Sequence, residues 1–149
     1  MSGQRLAVLY LDLDGFKQVN DEYGHAIGDK LLVAVTRRMS ARLRASDSLY
    51  RQGGDEFVVL MERVAAYEEA ERLAMRLIES CQLPVGISGQ RFTVTVSIGI
   101  SLYPDDAANL TDLVQHADRG MYAAKGRGRN RHARIDRSLG MDIADTLIP

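Results

Sequence analysis

Three acidic side chains stand where strand-like segments of the sequence end or begin. Asp12 follows the apolar run 6–11, and Asp55 and Glu56 lie between two further strand-like segments. If those strands are neighbours, the three carboxylates meet and repel one another unless a cation binds between them. Mg²⁺ or Mn²⁺ prefers such oxygen ligands, and a metal pair activates a hydroxyl and steadies a leaving pyrophosphate. Alternatively, Asp12 caps the next helix and the other two acids form a polar hairpin turn, and spacing alone leaves both readings open.

Bare backbone and basic side chains suggest a phosphate site. Gly53 and Gly54 form a surface without side chains that a flat or phosphorylated ligand can approach closely. The sequence has no G-x-x-x-x-G-K-[ST] loop, so other groups must hold any phosphate. Lys125 and Arg129, four residues apart at a helix end, are candidates, with Lys17 at the start of the first helix. Alternatively, Lys125 and Arg129 are basic residues that only complement the negative, C-terminal end of a helix dipole.

Asn20 and Asp29 flank a turn and are candidates for reading a base. An aspartate can accept two hydrogen bonds from the N1–H and N2–H₂ edge of guanine, a donor pair that adenine lacks. An asparagine can complement it by donating to a ring acceptor. From spacing alone, however, the favoured interpretation is that Asp29 caps a helix and Asn20 caps a turn.

The elements that must position these residues follow from hydrophobic periodicity and turn signals. Asp14 is expected to N-cap the first helix and Gly24 to end it. The glycines before Asp55 predict a hairpin, so at least part of the sheet is antiparallel, with helices packed on it. The predicted elements are strands 6–11, 47–52, 56–61, 90–103 and 131–135 and helices 14–24, 25–44, 67–83 and 111–125.

Length and composition indicate one soluble globular domain. The chain has 149 residues, of which 46% are hydrophobic and 26% charged, which excludes a disordered or fibrous protein. A net charge of -1 gives no overall attraction to nucleic acid or an anionic membrane. Cys81, the single cysteine, cannot form an internal disulfide, and a reducing cytosol is its natural compartment. We expect the domain to span 1–137 and residues 138–149 to be a tail or the start of an interdomain linker.

Seven motifs in one order resemble the GGDEF domain of bacterial diguanylate cyclases, over about residues 6–135. Any one of them is modest evidence, whereas the ordered set is specific. The matching segments are residues 12–20 (DLDGFKQVN), 23–29 (YGHAIGD), 51–57 (RQGGDEF), 96–99 (VSIG), 117–118 (AD), 121–125 (MYAAK) and 128–130 (GRN).

The resemblance implies an α+β fold of the palm type shared by nucleotidyl cyclases and polymerases, with a central, mainly antiparallel sheet flanked by helices. It implies a GTP-dependent nucleotidyltransferase that converts two GTP into cyclic di-GMP and two pyrophosphates, with Mg²⁺ or Mn²⁺, two per active site. Because one domain binds one GTP, turnover requires a two-fold homodimer. The implied setting is the bacterial cytoplasm, in a parent protein that carries sensor or EAL phosphodiesterase domains and can itself be attached to a membrane. Neither nucleic acid nor membrane is an expected partner of this domain.

Site roles carry over by position. Asp12, Asp55, Glu56 and the Leu13 carbonyl correspond to metal ligands, and Asp55 also to the base for the 3′-hydroxyl. Glu56 lies beside it as a second catalytic acid. The residues expected to bind GTP are Lys17, Asn20, His25, Asp29, Gly53, Gly54, Lys125 and Arg129, which reverses the capping interpretation of Asn20 and Asp29.

Arg44 and Asp47 resemble the RxxD site through which the product inhibits this family. Such a site binds the guanine and phosphate of cyclic di-GMP and cross-links domains in a non-productive arrangement. The alternative is an arginine paired with an aspartate three residues later, worth a few tenths of a kcal/mol.

Three other functions remain open at this stage. The first is a catalytically weak domain that binds GTP or cyclic di-GMP and regulates an attached domain. The chain lacks the helix and wide turn that precede the first strand in the family, so weak activity of the isolated chain is expected. The second is a nucleic-acid binder that uses the basic residues between 119 and 137, although no interleaved aromatic residues support base stacking there. The third is a cyclase that makes cyclic GMP.

Overall fold

The computed structural model describes residues 4–136 and 141–142. Its elements follow the predicted order closely, and every long apolar segment forms the predicted type of element. They are β1 (Arg5–Asp14), α1 (Phe16–Tyr23), α2 (His25–Ser40), β2 (Asp47–Gly53), β3 (Glu56–Val64), α3 (Tyr67–Gln82), β4 (Val85–Ile87), β5 (Gln90–Phe92), β6 (Thr95–Tyr103), α4 (Leu110–Gly126), β7 (Arg131–Ala133), β8 (Ile135–Asp136) and β9 (Met141–Asp142).

Five strands form the main sheet in the order β2-β3-β1-β6-β7. The pairs β2–β3, β3–β1 and β1–β6 are antiparallel, and only the edge strand β7 runs parallel to its neighbour β6. The predicted α+β fold with a mainly antiparallel sheet is therefore confirmed. β1 lies at the centre of the sheet, which explains its continuous apolar sequence.

Helices cover both faces of the sheet, and β1 alternates between them. Leu9, Leu11 and Leu13 point into a large core with residues of α2 and α3. Val8 and Tyr10 pack on the opposite face against Leu113, Ala117 and Met121 of α4. By the same two-residue period, Asp12 and Asp14 lie on the α4 face.

Close backbone contact fixes α4 against β6. A Cβ added to Gly99 of β6 would lie 1.8 Å from the carbonyl oxygen of Ala117, and one added to Gly120 would lie 2.9 Å from that of Ala133. The two glycines face each other, so helix and strand approach without intervening side chains. This contact sets the height of α4 above the sheet and the position of Lys125 at its end.

Three predicted elements need correction. The expected strand 90–103 is two strands, because β5 turns back at Ser88 and Gly89 to pair with β4 and only β6 joins the main sheet. The helix predicted over 25–44 ends at Ser40, and the turn after it leads into β2. The expected last strand 131–135 is divided between β7 and β8, which belong to different sheets.

The predicted boundary at 137/138 and most of the predicted tail lie outside the described residues. Within the described part of the chain, no helix is both long and apolar enough to cross a membrane.

Candidate active site

The register of the central strands brings the predicted acidic residues to one edge of the sheet. Asp12 of β1 is the direct cross-strand partner of Glu56 at the start of β3. The Leu13 amide donates a hydrogen bond of 3.0 Å to the carbonyl oxygen of Asp55, which ties the hairpin turn to the end of β1. Cross-strand partners share a face of the sheet, so the Asp12 and Glu56 side chains both lie on the α4 face.

The side chain of Arg51 forms hydrogen bonds within the hairpin turn between β2 and β3. Its Nε and Nη2 both donate to the carbonyl oxygen of Gly54, at 3.0 and 2.8 Å. Gly54 has a φ of 44°, in the left-handed region that glycine adopts at least cost. A Cβ at Gly53 or Gly54 would meet no atom within 4 Å, so the backbone presents a bare surface to solvent.

Negative charge accumulates around Asp12. Partial burial raises the pKa of this carboxyl to about 6, and the nearby Asp55 and Glu56 carboxylates add to the effect, while Lys125 opposes it. Asp12 therefore resists ionisation until positive charge approaches, and Asp55 and Glu56 supply further oxygen donors beside it. This donor set and charge are what Mg²⁺ or Mn²⁺ requires, so the residues fit such an ion. Among the described residues, no three His, Cys, Asp or Glu side chains already form a closed metal-ligand cluster.

Asp14 is a buried carboxylate, and its predicted role as the N-cap of α1 is wrong. It does not cap α1, because Gly15 occupies the cap position and no side chain there accepts a hydrogen bond. Its oxygens instead accept from Thr95 Oγ1 at 2.8 Å, Ser97 Oγ at 2.8 Å and the Asn130 amide at 3.1 Å. Although burial alone would raise its pKa, these bonds and the one from Lys125 lower it below the ordinary value.

We call the sheet edge that carries Asp12, Asp55 and Glu56 the acidic edge. Two of the three predicted phosphate-binding residues lie beside it. Lys125 Nζ lies 2.9 Å from Asp14 Oδ1 and 3.5 Å from Asp12 Oδ2. Arg129 Nε lies 3.9 Å from Asp14, and 59% of its side chain is exposed. Lys17 is exposed near the start of α1, and its side chain makes no hydrogen bond to any described residue.

The predicted base-reading residues lie where α1 meets α2. The Asn20 side chain sits on Gly28, where an added Cβ would be 1.6 Å from Asn20 Oδ1. This buried oxygen has no hydrogen-bond partner among the described residues. Asp29 is exposed within α2 and is not its cap, because Gly24 takes that position. His25 is exposed at the first position of α2.

Tyr10 adds a phenol to the site that was not among the predicted site residues. Its hydroxyl donates to Glu56 Oε1 at 2.7 Å. Burial and this hydrogen bond raise the pKa of Tyr10 above its ordinary value. Burial raises the pKa of Asp118 on α4, and the nearby Glu56 carboxylate adds to this effect. An isolated tyrosine in an apolar run carries no sequence signal beyond packing.

The family model for the diguanylate cyclase GGDEF domain matches residues 1–131. The chain belongs to the GGDEF domain family. The resemblance predicted from the ordered motifs is thereby confirmed.

Relatives and solved structures agree with the assignment. MucR of Pseudomonas aeruginosa, a bifunctional diguanylate cyclase and cyclic di-GMP phosphodiesterase, is 43% identical over 97% of this chain but only 21% of its own length. The crystal structure of the GGDEF domain of P. aeruginosa TpbB has a TM-score of 0.84 at 43% identity, over 87% of this chain and 81% of that chain. The GGDEF domain of DgcB from Caulobacter crescentus, in complex with c-di-GMP, has a TM-score of 0.78 at 25% identity, over 87% and 77% of the two chains.

In this GGDEF domain, Arg44 and Asp47 form a tightly bonded pair. Asp47 accepts from the Arg44 amide at 2.8 Å and from Arg44 Nη2 at 3.0 Å. Arg44 also donates to Glu69 Oε2 at 3.3 Å and to the Glu62 carbonyl at 3.1 Å. The i to i+3 pairing considered from the sequence is therefore present, and a role in product inhibition stays a prediction.

Proposed function

We propose that this GGDEF domain is a diguanylate cyclase that condenses two GTP into cyclic di-GMP and releases two pyrophosphates. The observation that carries the proposal is the convergence of Asp12, the Asp55–Glu56 turn and Lys125 at one edge of the sheet. Phosphoryl transfer depends on positioning and charge stabilisation, and an edge with both carboxylates and a lysine offers both. Membership of the diguanylate cyclase family supports the same reaction.

The acidic edge would hold Mg²⁺ or Mn²⁺, two per site, through Asp12, Asp55, Glu56 and the Leu13 carbonyl. When bound, such ions neutralise the phosphate charge and lower the pKa of the attacking hydroxyl. Asp55 stands at the exposed turn, where it can accept the proton of the 3′-hydroxyl as the general base. The bare backbone of Gly53 and Gly54 lets the nucleotide lie against the turn.

Nucleotide recognition would use the groups on either side of this edge. Asn20 would donate its side-chain amide to a ring acceptor of the base, while its Oδ1 stays buried against Gly28. Asp29 would accept from the guanine N1–H and N2–H₂ groups, and His25 would line the same site. Lys125 and Arg129 would bind the phosphates, with Lys17 nearby.

Two copies of the domain must supply one GTP each, so the productive assembly is a homodimer with two-fold symmetry. Product inhibition would occur at Arg44 and Asp47. Because the Asp47 side chain is fully covered, a ligand there would have to take over hydrogen bonds that Arg44 now makes within the domain. The parent protein would carry sensor or EAL domains, since this chain matches about a fifth of MucR.

The proposal is tested by incubating the chain with GTP and Mg²⁺ and identifying the product by mass spectrometry. We expect cyclic di-GMP and pyrophosphate from the wild type and a loss of roughly 100-fold or more for Asp55→Asn, which removes one charge from the edge. Asp21→Asn, an exposed carboxylate on α1, is the matched control and should retain activity. Cyclic GMP as the product, or no product from an artificially dimerised chain, would contradict the proposal.

A catalytically weak regulatory domain is the alternative. Under this alternative, calorimetry would show that the wild type binds GTP or cyclic di-GMP. The artificially dimerised chain would nevertheless give no turnover, and this outcome separates the alternative from the proposal.

A further inference from the structure

Tyr10 joins the hydrophobic layer under α4 to the acidic edge. Its ring is 6% exposed and belongs to the cluster of Val8, Val58 and the inner face of α4. Its hydroxyl donates to Glu56 Oε1 at 2.7 Å, across neighbouring strands. Within the described residues, this is the only hydrogen bond that either side chain makes, and Glu56 Oε2 accepts none.

The hydroxyl is not needed for packing. A phenylalanine ring would fill the same space between β1, β3 and α4 without a polar atom to satisfy. Burying a hydroxyl is favourable only when it finds a partner, and Glu56 is that partner. The hydrogen bond therefore bears on the orientation of the Glu56 carboxylate and not on the packing of the ring.

Without a donor, Glu56 would turn away from the edge. Asp12 lies directly opposite it on β1, Asp55 precedes it in the chain, and Asp118 approaches from α4. Repulsion from three carboxylates favours rotation of a half-exposed glutamate towards solvent. A donor on a rigid, buried ring opposes that rotation and holds Oε1, which leaves Oε2 as the oxygen available at the edge.

We propose that Tyr10 is a positioning residue, which holds the Glu56 carboxylate in the orientation needed to bind a divalent cation beside Asp12 and Asp55. The inference rests on the proposed metal-binding role of the acidic edge. Partners that orient a metal ligand from behind commonly change metal affinity by about 10-fold or more when removed. Tyr10→Phe removes only the donor and keeps the packed ring.

The test measures Mn²⁺ affinity by electron paramagnetic resonance, in the presence of a GTP analogue that cannot be cleaved. We expect Tyr10→Phe to weaken Mn²⁺ binding by about 10-fold. Glu56→Gln should weaken it as well, and Tyr10→Phe should have no further effect in the Glu56→Gln background. The matched control is Tyr67→Phe, which removes the hydroxyl of a partly buried ring that packs under Arg134, away from the acidic edge.

Wild-type affinity in Tyr10→Phe, or an equal loss in the Glu56→Gln background, would overturn the inference, as would failure of the wild type to bind Mn²⁺. If Tyr10→Phe does not fold, NMR of the wild type labelled at the tyrosine Cζ decides, because the Tyr10 resonance must shift when Mg²⁺ and nucleotide bind. An unmoved resonance contradicts the inference. If Mn²⁺ binding depends on Tyr10 but no cyclic di-GMP forms, the proposed reaction is contradicted and the inference about Tyr10 stands.

Discussion

Asp14 is the residue at which four separate parts of the chain meet. Its carboxylate binds Thr95 and Ser97 of β6, Lys125 at the end of α4 and the amide of Asn130 in the following loop. The residue thus fixes the direction from which Lys125 faces the acidic edge. A charge buried with these partners stabilises the fold only while it remains ionised.

Replacing Asp14 should destabilise the domain in a pH-dependent way. Asp14→Asn leaves the Lys125 ammonium and three donors poorly paired, at a cost of about 3 kcal/mol near pH 7. Because the folded state lowers the pKa of Asp14 below its ordinary value of 3.8, this contribution is complete above that value and is lost as the pH falls through the lowered one. The difference in unfolding free energy between the two proteins should therefore shrink in acid.

Urea unfolding of both proteins from pH 7 down to the acid limit of folding measures this difference. Asp21→Asn, which replaces an exposed carboxylate, should follow the wild type throughout. If the difference in unfolding free energy between the wild type and Asp14→Asn is constant with pH, the lost stability comes from altered packing and not from the lost charge, which would contradict the prediction.

The contact between α4 and β6 decides where the basic end of the helix lies. Gly99 and Gly120 let the two backbones touch, and α4 carries Ala117 and Met121 into the sheet and Lys125 to its edge. The helix therefore couples packing to the electrostatics of the site. A small change in its height would move Lys125 relative to Asp12 and Asp14.

Gly99→Ala should separate helix and strand. The new methyl group would lie 1.8 Å from a backbone carbonyl oxygen, which cannot move without displacing α4. We expect a loss of at least about 2 kcal/mol in thermal or urea unfolding. Gly126→Ala is the matched control, because a Cβ there meets nothing within 4 Å and alanine favours the helix, so its stability should equal or slightly exceed that of the wild type. Equal stability of Gly99→Ala and the wild type would contradict the close contact.

The sequence predicted those features of the site that local patterns encode. The apolar run before Asp12 and the hairpin signal before Asp55 place each acid at a strand end, but whether the two strands are neighbours stayed a condition. The register of β1 and β3 meets that condition. Asp14 was assigned to a helix cap because its partners lie 81 to 116 residues away, and no local pattern announces them. Tyr10 does not stand out within the apolar run 6–11 for the same reason, since Glu56 is 46 residues distant. The alternation over 90–103 suggested one strand because β5 and β6 each bury apolar residues, although only β6 joins the main sheet.

At the scale of the whole domain, the acidic edge lies at the surface, where both the hairpin turn and Arg129 are exposed. One such edge binds one GTP in the proposed reaction, and forming two phosphodiester bonds requires a second edge opposite it. Activity is then a property of a pair of domains. In a longer parent protein, neighbouring domains would set the local concentration of the pair.

The measurement that tests this account most directly is the rate of cyclic di-GMP formation per domain as a function of protein concentration, with the product identified at each point. The specific rate should rise with concentration until the domains are paired, and fusion to a parallel dimeric coiled coil should make it high and independent of concentration. A specific rate that is constant for a monomeric chain, or a product made equally well by unpaired domains, would contradict the account.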